Sequence, residues 1–211
     1  MPRFADVLEQ APEHVRALDP RAREVRPAAG VRERLIDPGD RAPGTRAHPD
    51  RALVTVAFID IVGSTETAVA LGDVAWMELV HRFQRVVRAE LRRHGGREVD
   101  TAGDGFFVRF AVPARAVHCA VEIARRVRSL GIEIRAGCHT GEVELTGSGV
   151  RGVAVAIGAR IAAIADAGEV ICSSTVRDVT VGSGLRFDDR GRHMLKGIPE
   201  AWRLFAVTSS G

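Results

Sequence analysis

LVTVAFIDIVGST, from Leu53 to Thr65, is the stretch from which the rest of the chain can be read. Leu53, Val54, Val56, Ala57, Phe58 and Ile59 form a short apolar run rich in β-branched residues, with charge before it and Gly63 after it. Such a run predicts a buried strand, here ending at Asp60. Ile61-Val62-Gly63-Ser64-Thr65 then reads as a tight turn that opens a helix. A carboxylate at a strand end, next to the free N–H groups of a helix start, is suited to phosphate chemistry. Taken alone, Asp60 would also serve as an ordinary helix N-cap.

Outward from this strand, Trp76, Val80, Phe83, Val87 and Leu91 step by four, three, four and four, one face of a helix spanning Asp73 to His94 that Gly95-Gly96 stops. Glu98 to Ala102 and Phe106 to Ala111 read as strands joined at Gly103-Asp104-Gly105, a hairpin with an aspartate at its tip. Pro113 opens a second helix with Ala116, Ala120, Ile123, Val127 and Leu130 on one face, ending before Gly131. Ile132 to Leu145 is strand-like and Val153 to Ala165 is a small-residue helix. Glu169 to Ser173, Leu185 to Phe187 and Trp202 to Val207 are later strands. The order β, α, β, β, α, β predicts an α+β fold, a ferredoxin-like sheet with helices on one face, extended by C-terminal strands.

Before Arg51 the character differs. Seven of the nine prolines fall there among many charged residues, so residues 1–50 read as an irregular arm or linker, with short helices conceivable at Phe4 to Leu18 and Val31 to Ile36. Residues 51–208 read as a single domain with its own core. The net charge of +3 is spread along the chain and the arm has one aromatic, Phe4, which argues for a small anionic ligand and against nucleic-acid binding. Cys119, Cys138 and Cys172 are odd in number, widely spaced and set among apolar residues, the pattern of neither a disulfide framework nor a zinc site. No apolar run is long enough for a membrane span and no signal core is present, so a cytoplasmic protein is expected.

Two carboxylates delivered from a strand end and a neighbouring hairpin can hold two Mg²⁺ or Mn²⁺ ions and leave positions for triphosphate oxygens. Phe58-Ile59-Asp60-Ile61-Val62-Gly63-Ser64-Thr65, Thr101-Ala102-Gly103-Asp104-Gly105-Phe106, Gly158-Ala159-Arg160 and Leu195-Lys196-Gly197 occur in that order. Together they resemble the class III adenylate/guanylate cyclase catalytic domain over Ala52 to Val207. The resemblance implies an enzyme, a phosphorus–oxygen lyase that converts a nucleoside triphosphate to a 3′,5′-cyclic nucleotide and pyrophosphate. It implies that Asp60, Asp104 and the Ile61 carbonyl bind two divalent ions, that the amides of Val62, Gly63, Ser64 and Thr65 hold phosphates with Lys196, and that Arg160 stabilises the transition state. It also implies a homodimer with active sites at the subunit interface, Asp60 and Asp104 of one protomer facing Arg160 of its partner.

Three positions depart from the family pattern. The adenine-reading lysine is replaced by Asp100, its usual Asp or Thr partner by Val153, and the transition-state asparagine by Ala156. A carboxylate only accepts hydrogen bonds, which leans toward guanine or a lone exocyclic amine, and Val153 offers no polar contact. ATP is the default by family frequency; GTP, a pyrimidine triphosphate, or a catalytically silent nucleotide-binding dimer are the alternatives. The base, the upstream signal, the effector of the product and the role of the arm are not encoded in these motifs.

Overall fold

The computed structural model describes residues 50–146 and 149–210. Their order is β1 (Asp50–Ile61), α1 (Ser64–Leu71), α2 (Asp73–His94), β2 (Arg97–Ala102), β3 (Gly105–Phe110), α3 (Pro113–Val127), a 3₁₀ turn at Arg128–Leu130, β4 (Ile134–Thr146), β5 (Gly149–Arg151), α4 (Val153–Ala162), β6 (Val170–Ser173), α5 (Ser174–Val179), β7 (Leu185–Met194) and β8 (Ala201–Ser210). The expected βαββαβ order is β1, α2, β2, β3, α3, β4, with short α1 set before α2. The helices conceived at Phe4 to Leu18 and Val31 to Ile36, and the arm up to residue 49, lie outside the described residues.

All strands join one sheet in the order β2-β3-β1-β4-β6-β8-β7, with β5 paired to β4. Alternation along β1 sorts the core into two layers. Ala57, Ile59 and Ile61 pack with Phe83 and Val87 of α2 and with Ala116, Ala120 and Ile123 of α3. Val54, Val56 and Phe58 point the other way, to Ala154, Val155 and Ala159 of α4. So α2 and α3 cover one face, as the βαββαβ pattern requires, and α4 from outside that unit partly covers the opposite one. Glu90 of α2, almost wholly buried, lies 3.0 Å from Arg126 Nε and ties α2 to α3.

Several boundaries differ from the sequence reading, among them β8, which runs on to Ser210, and α3, which ends at Val127; two more have a clear physical reason. α4 ends at Ala162 and not Ala165, because the chain tightens into i→i+3 bonds, Ile164 N–H to Ile161 O and Ala165 N–H to Ala162 O. β7 continues past Phe187 to Met194 through Asp188, Asp189 and Arg190. Those residues carry no apolar alternation; they are strand because β8 pairs with them, on an edge where charge discourages further pairing.

Candidate active site

Asp60 stands opposite Gly105 in the β1–β3 pairing and opposite Arg135 in the β1–β4 pairing. Asp104, one residue before Gly105 at the β2–β3 tip, is thereby brought beside it. The tip is a two-residue loop whose first residue, Gly103, has φ +62°, a left-handed backbone that favours glycine. Because residues paired across strands project to the same face, Asp60, Arg135, Phe107 and Phe58 share the α4 side of the sheet. There the Phe58 and Phe107 rings stack at 4.6 Å and 3°.

Asp60 is nearly buried, and burial pushes its carboxyl up to about 6. The hydrogen bond from Arg135 opposes the rise, and the nearby charge of Asp104 adds to it. Arg135 donates from Nη2 at 2.7 Å and from Nε at 3.3 Å, both to Oδ2 of Asp60. A sunken carboxylate with a second acid beside it and a lone guanidinium as counter-ion suits a further cation. Among the described residues no three His, Cys, Asp or Glu side chains converge. The protein thus offers two carboxylates and backbone oxygen, a donor set that fits Mg²⁺ or Mn²⁺ sharing oxygens with a ligand, and not zinc.

The turn after β1 brings its amides to this carboxylate pair. Gly63 has φ +63° and precedes α1 with no side-chain cap, so the first-turn amides of α1 lack both an intrahelical acceptor and a capping oxygen. Of the four amides expected to hold phosphates, that of Val62 donates to Glu133 O at 2.9 Å in this structure. Ile61 buries its side chain on the helix side, so only its backbone can serve the site.

Asp100 reaches the site face through a bulge in β2 between Glu98 and Asp100. Strict alternation would put these two acids on one face. With Val99 extra, Glu98 faces α2 while Asp100 pairs with Phe107 on the α4 side. Asp100 Oδ1 accepts the Thr101 amide at 2.8 Å, and no hydrogen bond to Oδ2 is formed among the described residues.

The other expected residues lie elsewhere in this protomer. Arg160 is in the last turn of α4, its Nη1 buried without a hydrogen-bond partner. Val153 begins α4 and is 66% exposed, and Ala156 is half-buried on the same helix. Lys196 is exposed in the β7–β8 connection, between buried Leu195 and Gly197 at φ +80°. Register places Ala201, which opens β8, four residues beyond the Ala57 level and away from the Asp60 end, while Leu195 in the connection before it packs with Ile161, Ile171 and Leu204.

Sequence reading missed Arg135. It sits on the polar side of a strand whose other side holds Ile134, Ala136 and Cys138, and only the register with β1 gives it meaning.

The architecture and this two-carboxylate site define a class: α+β domains that handle a phosphorylated ligand at the end of a mixed sheet. Residues 47–209 match the model of the adenylate and guanylate cyclase catalytic domain, and the chain belongs to that family. An uncharacterised protein of Mycobacterium tuberculosis is 28% identical over 156 residues, which cover 72% of this chain and 54% of the relative. The chain thus spans about half the length of that relative. Among solved structures, the adenylyl cyclase CyaB from P. aeruginosa superposes with TM-score 0.70 at 22% identity, over 78% of this chain and 97% of that one. An adenylate/guanylate cyclase/hydrolase from Silicibacter pomeroyi gives 0.66 at 25%, over 77% and 99%. No helix among the described residues is long and apolar enough to cross a membrane.

Proposed function

We propose that the protein is a nucleotide cyclase that converts ATP to 3′,5′-cyclic AMP and pyrophosphate, in a homodimer with two sites at the subunit interface. The observation that carries this reading is the convergence of Asp60, Asp104 and the uncapped α1 turn on one face at one end of the sheet. Asp60, Asp104 and the Ile61 carbonyl would hold two Mg²⁺ or Mn²⁺ ions. When bound, such ions make the ribose 3′-hydroxyl a better nucleophile and offset charge on the triphosphate. The amides of Gly63, Ser64 and Thr65 receive phosphate oxygens, and Arg135, displaced from Asp60 by a stronger cation, turns its guanidinium to the same group. The 3′-oxygen attacks the α-phosphorus in line, its proton passes to solvent, and the bond to the bridging oxygen breaks to release pyrophosphate.

Arg160 and Lys196 enter from the partner. A two-fold copy running the opposite way presents each subunit's α4 and β7–β8 connection to the other's carboxylate pair. Arg160 Nη1 has no hydrogen-bond acceptor and no exposed surface in the protomer, so to meet the charge that develops on the α-phosphoryl group its side chain turns outward in the assembled site.

For the base, Asp100 has Oδ1 engaged by its neighbour's amide and Oδ2 free. One free oxygen suits the single exocyclic amine of adenine better than the paired N1–H and amino group of guanine, and cytosine remains the competitor. A catalytically silent nucleotide-binding dimer is the second reading, favoured by the apolar Val153 and Ala156 where the family has polar groups. Mass spectrometry of products after incubation with ATP, GTP, CTP and UTP in turn, with Mg²⁺ and then Mn²⁺, separates these. Cyclic AMP is the expected product. A different cyclic product overturns the base assignment, and none from folded dimer overturns the enzyme.

A further inference from the structure

β2 is the outer strand of the sheet, so the hairpin that carries Asp104 is paired on one side only. What it meets on one face is α2. Gln84 Nε2 donates to the Gly103 carbonyl at 2.9 Å, directly before Asp104 in the chain. Arg88, one turn on, donates to Gln84 Oε1 at 3.2 Å and fixes that amide's orientation. The same guanidinium forks onto Glu98, Nε to Oε2 and Nη2 to Oε1, both at 2.9 Å. Glu98 Oε1 in turn accepts the Thr101 hydroxyl at 2.6 Å, and the Arg88 guanidinium lies 5.5 Å from the centroid of the Phe106 ring. The β2 bulge makes this possible, since it turns Glu98 and Thr101 toward α2 while Asp100 faces the site.

We infer that Gln84, Arg88, Glu98 and Thr101 form a clamp that holds the hairpin tip against α2 and so sets the position of Asp104 relative to Asp60. These are positioning residues, since none touches the expected ligand. The inference rests on the proposed metal site for its purpose but not for its existence. A carboxylate on a two-residue loop of an outer strand would otherwise sample many positions, and groups that orient a ligating side chain influence the site nearly as much as the ligand itself. The bidentate Arg–carboxylate fork gives the clamp a direction that a lone surface ion pair lacks.

The test uses the full chain with Gln84→Met, which keeps length and removes the donor, and Arg88→Lys, which keeps charge and removes the fork. Arg82→Ala, on the same helix outside the network, is the control. Two readouts are taken: amide hydrogen exchange over residues 101–105, and Mn²⁺ binding followed by electron paramagnetic resonance with no turnover required. Exchange in the hairpin should rise in both variants while α3 is unchanged, and Mn²⁺ affinity should fall roughly 10- to 100-fold, with Arg82→Ala like the parent. Hairpin exchange equal to the parent's in both variants overturns the clamp. Faster exchange with unchanged Mn²⁺ affinity overturns its role in positioning Asp104. Because the ion shares oxygens with the triphosphate, Mn²⁺ binding is measured with a non-cyclisable triphosphate analogue present; a parent that binds no Mn²⁺ then sinks the metal site itself, and exchange still decides whether the clamp exists.

Discussion

Arg135 and His139 lie four residues apart on the same side of β4 and take opposite roles. Arg135 is the only cation hydrogen-bonded to Asp60 among the described residues, and a charge-assisted bond to a phosphate is worth about 1.5–3 kcal/mol. Arg135→Ala should therefore raise the KM for the triphosphate roughly 10- to 100-fold with a smaller change in kcat, which steady-state kinetics would show. A kcat loss at unchanged KM would place its contact in the transition state alone. His139 is buried, bonded from Nδ1 to the Ser173 hydroxyl at 2.9 Å and edge-on to Trp202, and burial lowers it to about 4. The unfolded chain binds that proton near its ordinary value of 6.5, so between the two values the unfolded state carries more protons. Stability is full above pH 6.5 and falls as pH drops toward 4, by about 3 kcal/mol at the low end. Urea midpoints for the parent and His139→Gln should converge as pH falls from 7 to 4. A constant gap between them would show that this histidine does not titrate with folding.

At the scale of elements, α4 reaches the sheet so closely that Gly137, Gly141 and Gly158 each leave no room for a Cβ. A Cβ on Gly137 would lie 2.2 Å from the Ala162 nitrogen, and one on Gly158 would lie 2.8 Å from Val56 Cγ2. The first obstacle is backbone, so Gly137→Ala must move the helix. Overpacking of this kind costs about 1–3 kcal/mol, and turnover should fall further than stability because Arg160 travels with α4. A denaturation midpoint equal to the parent's would mean that α4 is not seated as described. Helix α2 was legible to the residue at both ends, because a four-three-four-four apolar period and a glycine stop are local signals. The strand end at Asp60 and the Gly-flanked turn at Asp104 were legible for the same reason, whereas their joint reading as a metal site came from the resemblance and is a proposal. The β2 bulge was not: Glu-Val-Asp-Thr-Ala reads as plain strand, and only pairing with Phe106, Phe107 and Val108 shows that Val99 is extra. The partnership of Arg135 with Asp60, and the polar second half of β7, were hidden likewise because register between distant segments decides them.

For the whole molecule, the proposed homodimer sets the acidic pair of one protomer against Arg160 and Lys196 of the other. If two copies complete each other's sites, damage to Asp60 and damage to Arg160 fall on different halves of a site. Asp60→Ala and Arg160→Ala homodimers should each be inactive. Mixed and allowed to exchange subunits, they form heterodimers in which one site carries both lesions and the other carries neither. With equal amounts and random pairing, half the dimers are mixed and each has one intact site of two, so product formation should recover to roughly a quarter of the parent's. Asp60→Ala mixed with Asp104→Ala is the matching control, since both lesions fall on the same half and no intact site can form. Recovery in the first mixture and none in the second requires a shared site. No recovery in the first, with subunit exchange verified by mass, would mean that each protomer holds its own Arg160 against its own Asp60, and α4 would then have to rearrange on nucleotide binding.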